Sequence, residues 1–372
     1  MIYANHAGTS HPKPAPVSEA MADALAAPPE SWPARFEAAA GAVTGFFGMP
    51  APDRFLFTPG CTAALAVAIG DLPWKPGDRV ITSSLEHHAL LRPILQLAAD
   101  RGVEHVALPY TPDAPLDLDA AEQTLRRGRV RLVACTMASN VTGERLPIEQ
   151  LVALAHTHGA LCLVDGAQTA GLEPIDVGAL GADLFVFAGH KGPQGPQGIG
   201  GLYLAPEVAM RCPTATCEVR FGAATPWSPM PSYCDLGSVN MAGVAGLVAG
   251  LTWLREAGLD TLAAHRRALI TRLLDGLSEI RGITVYGSRD PARRTAAVSL
   301  TLDTMTPDLA GRRLREQHGV IAGAGQHCAP TAHEAIGTAP TGTVRLSLGP
   351  QHDEREVDAI VAAVGALARS VD

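Results

Sequence analysis

The chain has 372 residues and a formal net charge of −8. Its composition, 47% apolar and 18% charged residues, is typical of a folded globular protein and excludes an intrinsically disordered one. The length suggests two domains, or one large domain with a smaller partner. An acidic balance without a long basic run argues against nucleic acid as a main partner.

The sequence indicates neither a membrane span nor a secretory leader. Its longest apolar block, Met241–Leu254, is too short to cross a bilayer and predicts a buried helix. The first residues lead directly into Asn5-His6 and a proline-rich turn, which is unlike a signal peptide. We therefore expect a cytoplasmic protein without a membrane partner.

The seven cysteines are scattered and form no C-x-x-C pair, which predicts free thiols in a reducing compartment. Cys135 and Cys162 lie inside apolar runs, where cysteine behaves as a small hydrophobic residue. We expect both to be inert residues of the core.

Strands and helices alternate through the first part of the chain. The predicted elements are strand Phe55–Phe57, strand Val80–Thr82, a helix from Ala89, strand Gly102–Leu108, helix Leu116–Arg127, strand Val130–Thr136 and helix Ile148–His158. This βαβ rhythm favours a mainly parallel sheet with helices on its faces.

Polar residues follow several of these strands. Gly60-Cys61-Thr62 forms a strand-to-helix turn, which is either an anion site at a helix end or an ordinary N-cap. His87 and His88 open a helix; the pair is either solvated or a metal site, but it has no third ligand at a suitable spacing. Asn140 follows the strand that ends at Thr136, where an asparagine often only closes a turn.

The segment Leu161–Leu204 is the most informative. One apolar run ends in Asp165 and is followed by Gln168; a second, Leu184–Phe187, is followed by His190-Lys191. Open α/β sheets bind ligands beyond the carboxyl ends of their strands. A lysine and an acid at that edge suit pyridoxal phosphate (PLP), which needs a lysine for its Schiff base and an acid to keep its ring nitrogen protonated. In the alternative interpretation, Asp165 caps a helix and Lys191 is solvated.

The chain turns irregular after Leu204, with Trp227 and Tyr233, and then predicts a smaller α/β unit. Its elements are a helical stretch Met241–Ile280, strand Ala297–Leu302, helix Asp308–His318, strand Thr343–Leu348 and a closing helix from Asp353. We predict a large domain of residues 1–245 and a small domain of residues 246–372. The arm of residues 1–16 is expected to pack against the small domain.

Two residues of this second part carry possible chemistry. Cys328 lies in a loop beside His327, and such a thiol can have a lowered pKa, although the pair can also be merely structural. Together with His333 these residues fit no standard zinc spacing, so we expect no metal site. The guanidinium of Arg345 suits a carboxylate ligand, or alternatively a surface ion pair.

The motifs together resemble those of the class V aminotransferases, and within them the cysteine desulfurase and selenocysteine lyase branch. The likeness runs from Tyr3 to Asp358 and is densest in three strings: Asp165-Gly-Ala-Gln168, Gly189-His190-Lys191 and Gly325-Gln-His-Cys328-Ala. It implies PLP fold type I: a large domain with a mainly parallel seven-stranded sheet, and a smaller α/β C-terminal domain.

The resemblance implies a role for each site residue. Lys191 would carry PLP, Asp165 would hold the ring nitrogen and His87 would stack on the ring. The remaining cofactor ligands would be Gly60, Cys61, Thr62, His190 and Ser238 around the phosphate, with Asn140 and Gln168 around the ring. Ser238 would reach the phosphate of another subunit, so the resemblance implies a homodimer with shared sites.

The implied reaction removes sulfur from L-cysteine, or from a related thiol or selenol amino acid. Arg345 and Asn140 would hold the substrate carboxylate, and Cys328 would take the sulfur as a persulfide, leaving alanine. An acceptor protein would then receive that sulfur. Lys191, Cys328 and His87 are thus the implied catalytic residues.

Three other functions fit the same residues. A class V aminotransferase needs everything except Cys328, and a C–S lyase acting on another amino acid is also compatible. From a different class, the chain would be a non-catalytic PLP-binding or sulfur-carrying partner of a larger assembly. Three departures from the family pattern bear on this choice: Gly323 replaces an arginine, Ala188 replaces a phosphate-binding hydroxyl residue, and Asn5-His6 replaces the usual acid and amide.

Overall fold

The computed structural model describes residues 1–111, 114–210, 218–219, 234–235 and 238–370. The irregular stretch with Trp227 and Tyr233 lies outside these residues, as do Cys212 and Cys217. Helices and strands alternate along the described chain as the sequence predicts.

The strands are β1 Ile2–Ala4, β2 Phe55–Thr58, β3 Arg79–Ser83, β4 Glu104–Leu108, β5 Val130–Thr136, β6 Leu161–Asp165, β7 Leu184–Ala188, β8 Gly200–Leu204, β9 Glu218–Val219, β10 Cys234–Asp235, β11 Ile283–Tyr286, β12 Ala297–Leu302, β13 Val320–Gly325 and β14 Thr343–Ser347. The α-helices are α1 Ala15–Ala26, α2 Trp32–Phe46, α3 Cys61–Gly70, α4 His88–Arg101, α5 Leu118–Arg126, α6 Ile148–Thr157, α7 Val177–Leu180, α8 Met241–Ala257, α9 Leu259–Ser278, α10 Pro307–His318, α11 Pro330–Ala335 and α12 Glu354–Arg369.

Seven strands form the larger sheet, in the order β2-β8-β7-β6-β5-β3-β4. The pairs β4–β3, β3–β5, β5–β6 and β6–β7 are parallel, whereas β8 is antiparallel to both of its neighbours. The prediction of a mainly parallel seven-stranded sheet is therefore confirmed. Parallel pairing brings the carboxyl ends of β3, β5, β6 and β7 to one edge of the sheet.

Both faces of this sheet are covered, which explains why its strands read as continuous apolar runs. Along β5, Val133 and Cys135 face the cluster that includes helices α6 and α8, and Leu132 and Ala134 face the cluster of α3 and α4. Cys135 and Cys162 are fully buried, so their assignment to the core is confirmed.

The smaller sheet has five strands in the order β1-β13-β14-β12-β11. Its first strand comes from the N-terminus and lies parallel to β13, which anchors the arm in this sheet. Helices α9, α10 and α12 pack on it through a separate apolar cluster. The predicted helical stretch to Ile280 is in fact two helices, because Gly258 adopts a positive φ of 81° between α8 and α9.

The apolar block Met241–Leu254 lies within α8 and packs on the large sheet through Val244, Leu247 and Leu251. Among the described residues, no helix combines the length and apolarity needed to cross a membrane. The predicted domain boundary after residue 245 falls inside α8 and stays a prediction.

A pair of glycine substitutions tests how tightly the large sheet is covered. A Cβ on Gly201 of β8 would lie 2.5 Å from Phe55 Cε2 and 2.7 Å from Phe187 Cζ, whereas a Cβ on Gly41 of α2 would meet nothing within 4 Å. We expect Gly201→Ala to lower the free energy of unfolding by about 1–3 kcal/mol through overpacking. Gly41→Ala should raise it by about 0.5–1 kcal/mol, because alanine favours a helix interior. Urea denaturation measures both, and equal effects would contradict the packing described.

Candidate active site

A cavity of about 760 Å³ opens at the carboxyl edge of the large sheet. With the exception of Ser238, every residue predicted for the site lines it: Gly60, Cys61, Thr62, His87, Asn140, Asp165, Gln168, His190, Lys191, Cys328 and Arg345. Ser238 is exposed and outside this lining, so its expected reach into another subunit stays a prediction.

The turn before α3 leaves a helix end open to the cavity. Gly60 is the N-cap residue, adopts φ 143° and makes no side-chain capping hydrogen bond. A Cβ at Gly60 would meet nothing within 4 Å, so the space beside this turn is free. The uncapped N–H groups of the first helical turn, together with the positive end of the helix dipole, favour an anion at this point.

Asp165 ends β6 and is 3% exposed. Its Oδ1 accepts hydrogen bonds from the Ala167 N–H at 2.8 Å and from the Cys61 thiol at 3.5 Å. Burial raises the pKa of Asp165, while the Ala167 hydrogen bond and the charge of Lys191 oppose that rise. A cationic group placed against this carboxyl would favour its ionised form.

Lys191 follows β7, and its half-buried side chain points into the same cavity. Burial lowers the pKa of Lys191, and nearby Arg345 lowers it further, while Cys61 and Asp165 oppose the shift. More of its amine is therefore unprotonated at neutral pH than in an exposed lysine, which suits a nucleophile or a base.

The N-terminal arm holds the backbone beside that lysine. The carbonyl oxygen of His190 accepts hydrogen bonds from the Ser10 N–H at 3.0 Å and from Lys13 Nζ at 2.7 Å. The Gln168 amide donates to the Ala7 carbonyl oxygen at 3.1 Å. The arm thus contacts residues on both sides of the cavity.

The ring of His87 is fixed by the start of α4. Its Nδ1 accepts a hydrogen bond from the Ala89 N–H at 3.0 Å, so the proton of the neutral ring lies on Nε2. Burial, with the charge of Lys191, lowers the pKa of His87 to about 4. A neutral aromatic ring is therefore presented to the cavity at pH 7.

Glu86 does not line the cavity but binds Thr136, which does, and it was missed by sequence reasoning. It is fully buried, accepts a hydrogen bond of 2.5 Å from Ser83 Oγ and one of 3.0 Å from the Thr136 N–H, and thereby joins the ends of β3 and β5. Burial raises its pKa to about 8, so the carboxyl is mostly neutral at pH 7. Its place beside His87 at a strand end was the available signal.

Two neighbouring backbone carbonyl oxygens fix the loop that carries Cys328, because each accepts a hydrogen bond from another segment. His88 N–H donates to the Cys328 oxygen at 2.8 Å, and the Asn140 amide donates to the His327 oxygen at 2.7 Å. His327 and Cys328 both adopt positive φ, 49° and 57°, a conformation that side chains with a Cβ rarely adopt. The turn therefore presents an exposed thiol at the mouth of the cavity.

His327 does not supply the positive charge that the sequence suggested for this thiol. Burial, with Arg345 and His333, lowers its pKa to about 3, and its Nε2 lies 3.2 Å from the Thr343 carbonyl oxygen. The ring is neutral at pH 7. Lys191 and Arg345 line the same cavity as Cys328.

Arg345 on β14 is 5% exposed and is held in place by two hydrogen bonds. Its Nη1 donates to the Asn140 carbonyl oxygen at 2.8 Å, and its Nη2 donates to Asn5 Oδ1 at 3.0 Å. Gly323 is its partner across the strands, and a Cβ there would lie 3.1 Å from Asn5 Oδ1. A side chain at residue 323 therefore requires Asn5 to move, so the departures at residues 5 and 323 are physically coupled.

Among the described residues, no group of three His, Cys, Asp or Glu side chains is arranged to hold a metal ion. His333 instead bonds through Nδ1 to Thr338 Oγ1 at 2.7 Å. Ala188 also lines the cavity, and its methyl group offers no hydroxyl to an anion. At the Gly60 turn, the donors are the backbone N–H groups at the start of α3 and the hydroxyl of Thr62.

Comparisons with known proteins agree with this geometry. The family model for class V aminotransferases matches residues 3–360. The chain belongs to the class V aminotransferase family. Members of this family are PLP-dependent enzymes.

The individual proteins that this chain resembles include several cysteine desulfurases. A cysteine desulfurase of Klebsiella pneumoniae is 34% identical over 342 residues, which cover 89% of this chain and 82% of that protein. The solved cysteine desulfurase of Thermococcus onnurineus superposes with a TM-score of 0.90 at 29% identity, covering 99% of this chain and 94% of that one. One from Escherichia coli superposes at 0.87, also at 29% identity, covering 98% and 94%.

The buried carboxyl of Glu86 predicts a specific pH dependence. Its pKa is about 8 in the folded chain and about 4.5 when unfolded, so its contribution to stability falls as pH rises from about 4.5 to 8. Glu86→Gln mimics the neutral carboxyl and removes that loss. We expect the variant to match the wild type near pH 5 and to exceed it by on the order of a few kcal/mol at pH 8.

Urea denaturation across this pH range measures the difference. Glu149→Gln, which changes an exposed glutamate of α6, is the matched control. A stability difference between Glu86→Gln and wild type that stays constant from pH 5 to 8 would show that Glu86 ionises normally.

Proposed function

We propose that this protein is a PLP-dependent cysteine desulfurase that converts L-cysteine to alanine and leaves a persulfide on Cys328. The observation that carries the proposal is the shared cavity: the thiol of Cys328, the amine of Lys191 and the carboxyl of Asp165 line one space. The relatives named cysteine desulfurase support it.

The residues of the cavity fit PLP. The open, uncapped turn at Gly60 suits the phosphate, because unpaired N–H groups and the helix dipole favour an anion there. Asp165 offers a buried carboxyl for the ring nitrogen, and His87 offers a neutral aromatic ring for stacking. The cavity volume lies within the range of cofactor sites. When bound, PLP supplies an electron sink for a carbanion at the substrate Cα.

In the proposed enzyme, Arg345 and Asn140 bind the carboxylate of the substrate. The guanidinium of Arg345 is fixed by Asn140 and Asn5, so its fork is preorganised for a substrate carboxylate. Burial lowers its pKa to about 10, which still leaves it charged at neutral pH. The amide of Asn140 also holds the Cys328 loop, so this residue couples the substrate-binding side to the thiol.

Two side chains then move protons and sulfur. Lys191 Nζ, whose pKa burial lowers, accepts the proton from the substrate Cα. Cys328 Sγ, as the thiolate, attacks the substrate Sγ; an S–S bond forms while the Cβ–S bond breaks, and its electron pair passes to carbon. Protonation of that carbon yields alanine, so cysteine and one thiol become alanine and one persulfide.

We further propose a homodimer in which Ser238 reaches the phosphate site of the other subunit, and transfer of the persulfide sulfur to an acceptor protein. An exposed Cys328 suits such transfer, because an acceptor thiolate can reach it. A reducing cytoplasm would keep Cys61, Cys135, Cys162 and Cys328 as free thiols.

Replacing the thiol tests the proposed reaction. In Cys328→Ala, alanine formation from L-cysteine should fall by a factor of at least about 100, because no nucleophile remains for the substrate sulfur. Visible absorbance of bound PLP should persist, because Cys328 is not among its expected ligands. Cys162→Ala, a buried cysteine outside the cavity, is the control and should still form alanine. Undiminished alanine release in Cys328→Ala would refute the proposal, and keto acid formation by both proteins would indicate an aminotransferase.

A substitution at Arg345 tests substrate binding separately. Arg345→Lys keeps the charge but loses the two-point geometry, so we expect KM for L-cysteine to rise about 10- to 100-fold. The PLP absorbance should change little. Steady-state kinetics measures this, and an unchanged KM would show that another group binds the carboxylate.

A further inference from the structure

A second cavity, of about 500 Å³, shares no lining residue with the active-site cavity and is lined by four arginines. Arg145 and the segment Leu172–Pro174 come from the part of the chain that builds the large sheet. Arg266 and Arg267 come from α9, and Arg294 precedes β12. Only two carboxylates, those of Glu173 and Asp260, join them in the lining, so positive charge is in excess.

Two of these guanidiniums are buried and donate their hydrogen bonds to backbone carbonyl oxygens, not to a carboxylate. Arg266 is 6% exposed and donates to the Leu172 carbonyl oxygen. Arg294 is 3% exposed and donates to three carbonyl oxygens, those of Ser288 at 2.6 Å, Ala297 at 2.7 Å and Thr142 at 2.8 Å. The Nε atom of each has no hydrogen-bond partner among the described residues. Buried charges are normally paired, because burial without an opposite charge is costly.

Both arginines remain cationic at neutral pH. Burial lowers the pKa of Arg266 to about 10 and that of Arg294 to about 10. Glu173 attracts Arg266, but the carboxylate of Glu173 is itself bound by both terminal nitrogens of Arg145. The buried carboxylate of Glu144 likewise attracts Arg294, although Glu144 lies outside the lining and also accepts a hydrogen bond from the Tyr110 hydroxyl. Four arginines thus face three carboxylates, those of Glu144, Glu173 and Asp260, so positive charge stays in excess.

We propose that this arginine cleft binds a compact dianion of the phosphate or dicarboxylate type. A cavity of about 500 Å³ is the size of a small-molecule site and is concave, whereas a protein partner would need a far larger surface. Guanidinium forks bind phosphate and carboxylate oxygens in pairs. Such a ligand would balance the buried charge and tie α9 to the loop after β6.

The cleft also adjoins the active site. Leu172, Thr295 and Ala296 line both the cleft and a small neighbouring cavity that reaches Gln168 and Lys191. A dianion bound in the cleft would thus stabilise residues that lie between the cleft and Lys191.

Calorimetric titration of the PLP-saturated protein tests the proposal, because PLP then fills the other phosphate site. Inorganic phosphate and malonate are titrated separately, with sodium chloride at matched ionic strength. We expect saturable binding of at least one dianion at a single site, and the tighter of the two identifies the ligand chemistry. Arg267→Gln, which changes an exposed residue of the cleft, should weaken that binding at least about fivefold. Arg281→Gln, an exposed arginine outside the cleft, is the matched control.

Thermal unfolding gives a second readout that does not depend on turnover. A ligand of the folded state raises Tm with its concentration, and Arg267→Gln should reduce that rise whereas Arg281→Gln should not. The proposal is overturned if neither dianion binds saturably, or if both variants weaken binding equally, as general charge screening would. Neither result bears on the proposed desulfurase reaction, which has its own test in Cys328.

Discussion

Parallel pairing of β3, β5, β6 and β7 is the constraint on which the site depends. The register sets Thr136 against Asp165 and Asp165 against Val186, so the strands end at one level. The covered faces of the sheet hold these strands in that register, because a shift would expose buried side chains. The residues that follow these strands therefore meet at one cavity, although they are far apart in the sequence.

Burial then gives the ionisable groups of that cavity different tasks. Glu86 becomes neutral and serves as a hydrogen-bonded brace, whereas His87 becomes a neutral ring and Lys191 a readier base. Arg345 keeps its charge because arginine starts from a far higher pKa. The same low-polarity surroundings strengthen the electrostatic interactions of each group that stays charged, which suits the binding of a charged ligand.

The small sheet and its loops contribute the residues on the other side of the cavity. Arg345 lies on β14, and the loop with Cys328 follows β13, while the arm that carries Asn5 extends from β1 of the same sheet. Asn5 bonds to Arg345 and occupies the space beside Gly323, so these three residues depend on one another physically. The arm also holds the backbone at His190, linking the two sheets at the active-site lysine.

The sequence by itself determined the alternation of strands and helices, the strand-end residues Asp165 and Lys191, and most of the cavity lining. These follow from local periodicity and from motifs whose residues are close together in the chain. Only the tertiary structure decided that Glu86 and His327 are neutral at pH 7 and that Asn5 supports Arg345. Each depends on burial or on partners far away in sequence, as with Asn5 and Arg345, whose sequence separation is 340. A pKa or a hydrogen bond of this kind is set by the surrounding solvent exclusion and charges, which no local pattern contains.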